Sequence, residues 1–283
     1  MKNFRSLLGG LVAAAVIFCA ILCVLVKAAP SLPRGVREDP DDLVRNDLFE
    51  GDIVGVGLNL REFKTAEGLK RLQDHLTNGI LVNRWPKGEI PFGASNTFSS
   101  DHQEAIKKAM LEITENTNIK FIKRTFQKDY VFIQKGDKDS GCYSSVGRVG
   151  GKQIINLEVP GPDQPLLSKC MTHGIIIHEI THAIGFFHEQ ARTDRDDYVD
   201  LNWDNIQTTQ RHNFLKYDQS TTFGVPYDYD SILHYHRYSF AIDRSLWTIQ
   251  PKVPMQDTPI GQREGYSPLD IKKINLMYPK IAT

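Results

Sequence analysis

The chain has 283 residues, 41% hydrophobic and 24% charged, with 34 basic and 34 acidic side chains. That composition is ordinary for a folded globular protein and allows one sizeable core or two modest ones. Balanced charge with no lysine/arginine-rich run excludes nucleic acid as an expected partner.

At the N-terminus, Lys2 and Arg5 precede an uncharged, mostly apolar stretch of 20 residues, Leu7 to Val26, followed by Lys27-Ala28-Ala29-Pro30. This predicts a signal peptide over residues 1–28, cleaved after Ala28. A retained signal anchor is the alternative, because such a stretch could span a bilayer at about 1.5 Å rise per residue. Both readings place the remaining chain outside the cytosol, and the first makes it a secreted, extracellular protein. Cys19 and Cys23 fall within the apolar stretch, which leaves Cys142 and Cys170 as an even pair. In an oxidising compartment such a pair is expected to form one disulfide.

Residues 29–77 carry 7 basic and 10 acidic side chains, against 24 and 24 from Asn78 onward. The stretch Arg34–Asp47 is charged, bears prolines and has little apolar periodicity. A segment this polar cannot form its own core, so residues 29–77 read as a pro-segment draped over a main domain at 78–283.

In that domain Ile90-Pro91-Phe92 predicts a short strand. Ser99 or Ser100 can cap a helix to about Glu115, since Ala105, Ile106, Ala109, Met110 and Ile113 recur on one face. Ile119–Ile122, Tyr130–Gln134 and Gln153–Val159 predict strands, and glycines punctuate the loops between them. A helix is expected from about Lys169 to Phe186, then a loop-rich region and a last amphipathic helix from Pro268 to Tyr278.

The decisive string is His178-Glu179-Ile180-Thr181-His182-Ala183-Ile184-Gly185-Phe186-Phe187-His188. Residues four apart lie on one helix face about a turn apart, so His178 and His182 can grip one ion. Gly185 lets the chain leave the helix in a conformation other residues resist, which brings His188 round as a third ligand. Three neutral imidazoles with an open fourth position describe a catalytic zinc site, one Zn2+ per chain. Zinc lowers the pKa of a water in that position towards about 7. Glu179 is placed to take that water's proton as it attacks a peptide carbonyl, and to pass it to the leaving amine. Ile175, Ile176, Ile177, Ile180, Ala183 and Ile184 read as packing rather than chemistry.

At this point the sequence resembles the astacins, a family of metzincin zinc endopeptidases. The resemblance runs through His188-Glu189-Gln190-Ala191-Arg192-Thr193-Asp194-Arg195-Asp196-Asp197-Tyr198-Val199. It recurs in Gly141-Cys142-Tyr143-Ser144, Trp203-Asp204-Asn205-Ile206, Tyr227-Asp228-Tyr229-Asp230-Ser231-Ile232-Leu233-His234-Tyr235 and Gly261-Gln262-Arg263. The resemblance implies an α+β fold in two lobes. A twisted mixed sheet with helices forms the upper lobe, an irregular lower lobe ends in a helix, and the zinc lies in the cleft between. It also implies a monomer acting on protein or peptide substrates, with a membrane involved only if the N-terminal segment is retained.

Site roles carry over residue by residue. Tyr235 matches the tyrosine that ligates zinc in the free enzyme and swings away to stabilise the oxyanion. Glu189 matches the glutamate that pairs with the mature N-terminal ammonium. Phe49-Glu50-Gly51-Asp52-Ile53 resembles the pro-segment motif whose aspartate fills zinc's fourth position, which makes Asp52 the expected zymogen latch. A non-catalytic secreted binding protein with the same fold is the competing class. The presence of His178, Glu179, His182, His188 and Tyr235 argues against it.

Three departures from the family stand out. Leu233 replaces a methionine in the turn beneath the metal, with an expected cost below about 1.5 kcal/mol. Asn118 and Lys280 fall where the family's second disulfide would be, a staple worth about 2–5 kcal/mol. Asn78-Gly79-Ile80 resembles a mature start, yet Thr77 is not the usual basic residue and the nearest basic pair is Lys70-Arg71. An extended substrate is expected to add to an edge strand near Ile154–Val159 by main-chain hydrogen bonds. Arg237 and Arg263 are candidates for favouring acidic substrate residues.

Overall fold

The structure is a computed structural model that describes residues 45, 47–54, 84–216, 221–252 and 260–280. The expected signal or anchor segment, most of the expected pro-segment with Lys70-Arg71, and the expected start at Asn78 lie outside the described residues. Among the described residues no helix is long and apolar enough to cross a membrane.

Five strands form a mixed sheet: β1 (Glu89–Ala94), β2 (Lys120–Lys123), β3 (Tyr130–Gly136), β4 (Cys142–Ser144) and β5 (Lys152–Glu158). Their order is β2-β1-β3-β5-β4, with β4 antiparallel to β5 and the other neighbours parallel. The expected edge at Ile154–Val159 is therefore corrected. β5 lies between β3 and β4, and its residues Ile155 to Glu158 are buried in an unbroken run. Such a run is the mark of an inner strand with both faces covered. The outer strands are β2 and β4, and on the β5 side the edge is β4, whose three residues are too short to show a period.

Helix α1 (Ser100–Asn116) starts at Ser99, whose hydroxyl accepts the His102 N–H at 3.3 Å, and buries Ile106, Ala109, Met110 and Ile113. The expected helix from Lys169 to Phe186 is split. A single turn over Lys169–Met171 ends at Thr172, which is extended at φ −70° and ψ 145°, and α2 (His173–Ile184) begins after it. α2 is buried almost all round, with Ile176, Ile177, Ile180, Ala183 and Ile184 in the main core. It passes so close to the backbone at Arg263 that a Cβ on Gly174 would lie 1.8 Å from the Arg263 carbonyl oxygen. At its other end Gly185, at φ 133°, donates its N–H to the Thr181 and His182 carbonyls and turns the chain out.

The second half of the chain has its own smaller core of Val199, Ile206, Phe214, Tyr227, Tyr235, Phe240, Ile249 and Ile260. The two-stranded ladder of β6 (Val199–Leu201) and β7 (Ile249–Pro251) belongs to this region, and neither strand is apparent in the sequence pattern. The segment Ile232–Tyr235 passes from one core to the other, since Ile232 and Leu233 pack in the first and Tyr235 in the second. Helix α3 (Pro268–Met277) opens with a reciprocal cap between Ser267 and Asp270 and buries Lys273, Ile274 and Met277. Two lobes, a mixed sheet and helices make this the expected α+β fold.

Three ties hold these parts together. Cys142 on β4 and Cys170 before α2 are joined in a disulfide. Trp85 Nε1 donates to the Ala183 carbonyl at 2.8 Å and the Tyr278 hydroxyl donates to the Ile184 carbonyl at 2.7 Å, so Trp85 and Tyr278 together clasp the end of α2. Where the resemblance places a second disulfide, the Asn118 N–H donates to Asn275 Oδ1 at 2.7 Å and Asn118 Nδ2 donates to the Tyr278 carbonyl at 2.9 Å. Hydrogen bonds thus occupy the position of that staple.

Candidate metal centre

The α2 helix fixes His178 and His182 one turn apart, and the turn at Gly185 returns His188 to meet them. Their Nε2 atoms converge, with His182 at 3.1 Å and His188 at 3.2 Å from His178. Asp52 comes from the other end of the sequence: its Oδ2 lies 3.0 Å from His178 Nε2 and 3.3 Å from His188 Nε2, with Oδ1 3.7 Å from His182 Nε2. All four side chains are buried, and their ligand atoms lie within 4.8 Å of one another. Glu179, 1% exposed, sits beside them.

Each metal-facing nitrogen is aimed by the bond its ring makes on the other side. His178 Nδ1 donates to the Ile232 carbonyl at 2.7 Å and His182 Nδ1 to the Phe186 carbonyl at 2.7 Å. His188 Nδ1 donates to Glu50 Oε2 at 2.5 Å. These bonds leave Nε2 of each ring facing the common centre.

The fit to a metal rests on atoms that nothing else satisfies. Asp52 Oδ1 and Glu179 Oε2 are both buried without a hydrogen-bond partner. Three imidazole nitrogens and one carboxylate oxygen form a borderline-soft donor set suited to tetrahedral zinc. Electrostatics favour the neutral ring at two of the three histidines and the charged one at His188, between two carboxylates. Burial, then the Arg263 charge, pushes His178 down to about 4 against Asp52, which favours the neutral ring a metal needs. Burial also pushes His182 well down. For His188 burial is outweighed by the Asp52 and Glu50 charges, which raise it to about 9. Burial likewise opposes the Asp52 charge, yet His188, His178 and His182 together hold that carboxyl well below the usual range. Glu179 is raised well above a normal carboxyl by burial and then by the Asp52 charge.

A model of the family described as Astacin, a peptidase family, matches residues 78–279. The chain belongs to the astacin family. This astacin is 38% identical over 251 residues to zinc metalloproteinase nas-14 of Caenorhabditis elegans, a match covering 82% of the chain and 47% of that relative. It is 40% identical over 282 residues to high choriolytic enzyme 1 of Oryzias latipes, covering 92% of the chain and 96% of that protein. The chain thus spans about half the length of the nematode relative and nearly all of the fish one. The solved structure of that fish protein, described as a hatching enzyme zinc-protease, aligns with a TM-score of 0.61 over 69% of this chain and 92% of its own. Myroilysin, 19% identical with a TM-score of 0.51, shares the fold.

Around this centre the remaining expected residues are already engaged. The Tyr235 ring lies 4.6 Å from that of His188, and its hydroxyl donates to the Glu50 carbonyl at 2.6 Å. Glu189 donates its N–H to the Leu233 carbonyl at 3.0 Å, and its carboxylate takes Lys273 Nζ at 2.6 Å and Arg192 Nη1 and the Asp228 N–H at 2.9 Å each. Arg263 is partly buried and donates from Nη1 to the His234 and Gln262 carbonyls. Asp52 is presented by a closed turn in which Phe49 and Ile53 exchange backbone hydrogen bonds at 3.2 and 2.8 Å. The same segment adds to the β4 edge, with Ser144 N–H donating to the Asp52 carbonyl and Val54 N–H to the Ser144 carbonyl, both at 2.8 Å.

Sequence reasoning missed Glu50 and Lys273. Glu50 is one acidic residue among ten in a polar segment, and the only cue to it was its place in the motif before Gly51-Asp52. Lys273 carried no cue beyond the polar side of an amphipathic helix.

Proposed function

We propose that the chain is an exported zinc metalloendopeptidase, made as a precursor that Asp52 holds inactive. The observation that carries this reading is the Asp52 carboxylate lodged among the Nε2 atoms of His178, His182 and His188, with Glu179 beside it. Export is supported by the Leu7–Val26 segment and by the disulfide. The pro-segment at 29–77 would be cut away near Asn78, vacating the place of Asp52.

Zinc held by the three histidines supplies a Lewis acid that makes water nucleophilic near neutral pH. Glu179 then accepts the proton of the attacking water at its unpartnered carboxylate oxygen and passes it to the nitrogen of the leaving amine. Burial raises the Glu179 carboxyl above an ordinary one, which makes its protonated form easier to reach while it carries the proton. Tyr235, once freed from the Glu50 carbonyl, donates its hydroxyl to the oxyanion formed on the substrate carbon. The backbone of Ser144, now paired with Asp52 and Val54, becomes available to an extended substrate chain. Glu189 takes the mature N-terminal ammonium as a further partner beside Lys273 and Arg192.

The deciding experiment uses purified, processed protein on a quenched peptide library, with and without a zinc chelator, beside Glu179→Ala. Chelator-sensitive cleavage that disappears in Glu179→Ala is the expected result. Cleavage that survives the chelator, or full activity in Glu179→Ala, would sink the mechanism.

A further inference from the structure

Two of the metal-facing histidines are aimed by backbone carbonyls of the main domain, Ile232 for His178 and Phe186 for His182. His188 is aimed instead by a carboxylate from the pro-segment, that of Glu50, which is fully buried. We infer that Glu50 is a positioning residue of the metal site, so that the precursor holds zinc more tightly than a chain lacking this carboxylate. The inference rests on the zinc centre proposed above.

The local backbone supports a built contact. Glu50 has φ 49° and Gly51 has φ 78°, so the turn runs through the left-handed region at a residue that is not glycine. That conformation is strained for an ordinary side chain, and persists where the surroundings fix it. The result is that Glu50 and Asp52 point into one pocket: Asp52 meets the Nε2 side of His188 and Glu50 its Nδ1 side. Phe49 and Ile53, each 2% exposed, pin the turn into the main core. A carboxylate on the far nitrogen of a metal-bound imidazole fixes its tautomer and strengthens it as a donor. Removing such a partner weakens metal binding by about 10–100-fold. The pro-segment would therefore act twice, filling the fourth position through Asp52 and strengthening the third ligand through Glu50.

The test is zinc affinity of the full-length precursor, read by competition with a chromogenic chelator, for wild type, Glu50→Gln and Glu50→Gly. Thermal melting of each zinc-free chain is measured alongside. Glu50→Gln keeps size and an acceptor while losing charge, and Glu50→Gly relaxes the turn. Both are expected to bind zinc about 10-fold more weakly or worse, while each zinc-free chain still melts in a single cooperative transition, so that the lost affinity is not a loss of fold. In the zinc-loaded wild type the His188 Nδ1–H should give a slowly exchanging imidazole proton signal, lost or moved upfield in Glu50→Gln. Wild-type zinc affinity in both variants would overturn the inference and leave the proposed function intact. A wild-type precursor that binds no zinc would overturn both.

Discussion

Lys273 Nζ lies 2.6 Å from Glu189 Oε2, which buries a lysine of the C-terminal helix against the residue that follows the third metal-facing histidine. Burial opposes both charges, but each is restored by its partners, so Lys273 stays raised and Glu189 stays lowered. For Glu189 the opposing charges are Lys273 first and Arg192 second. A carboxyl depressed in the folded state contributes stability that is full above its unfolded value of about 4.3 and is lost as pH falls through the lower folded value. Lys273→Met should therefore destabilise the precursor by about 3 kcal/mol at neutral pH, at the lower end for a broken buried pair because Arg192 remains. The loss should shrink as pH falls below about 4, through the window between the unfolded value and the lower folded one. Urea unfolding at neutral and acid pH measures both, and an unchanged midpoint at neutral pH would count against the pairing.

The difference between what could and could not be read in the sequence follows contact distance along the chain. His178, Glu179 and His182 were legible because one helix fixes their spacing, and His188 because a glycine turn follows directly. The strands β1, β2, β3 and β5 were legible from apolar runs, but their order was not, because pairing is decided by tertiary packing. The apolar run that marks β5 as a strand carries no sign of its place in the sheet, and the edge beside it belongs to β4. Glu50 and Lys273 are out of local reach altogether: they meet His188 and Glu189 across 138 and 84 residues of chain. The split before α2 was missed because Thr172 gives no breaker signal, neither glycine nor proline.

Leu233, in place of the family methionine, is 2% exposed in the main core, and its carbonyl takes the Glu189 N–H. Its side chain contributes packing volume in that core. Leu233→Met should shift stability by less than about 1.5 kcal/mol, a volume-conserving change. Leu233→Ala should cost about 2–5 kcal/mol through the cavity it leaves. Thermal melting separates the two, and zinc retention in Leu233→Met should match wild type. A large gain in zinc retention on restoring methionine would show that its side chain does more than fill space.

The Cys142–Cys170 disulfide ties the β4 edge, where Asp52 and Val54 pair with Ser144, to the turn before α2. The cysteines are 28 residues apart, and closing such a loop removes about 3.5 kcal/mol of unfolded-chain entropy in the loop-closure account. The double substitution Cys142→Ser with Cys170→Ser should lower stability by about 2–4 kcal/mol. Single substitutions would leave one unpaired thiol behind, so the double variant is the clean comparison. Chemical unfolding of the oxidised wild type against the double variant reads the difference, and equal midpoints would assign the stability to packing alone.

Asp52 and Tyr235 are held by the same turn, one through its carboxylate against the histidines and the other through a hydrogen bond to the Glu50 carbonyl. The two contacts separate blocking from catalysis. In Asp52→Ala the turn keeps Phe49, Ile53 and the β4 pairing, so it stays docked while the fourth position opens. Uncut Asp52→Ala precursor should therefore cleave a quenched peptide measurably but below the processed enzyme, and a silent precursor would count against the latch. Tyr235→Phe removes one hydroxyl and leaves the histidines and Glu179 in place. In the processed enzyme it should lower kcat by about 10²–10³-fold with little change in KM, the signature of a donor used in the transition state. Zinc affinity should stay as in wild type. A loss confined to KM would make Tyr235 a substrate contact, and a loss of zinc would make it a ligand the protein cannot do without.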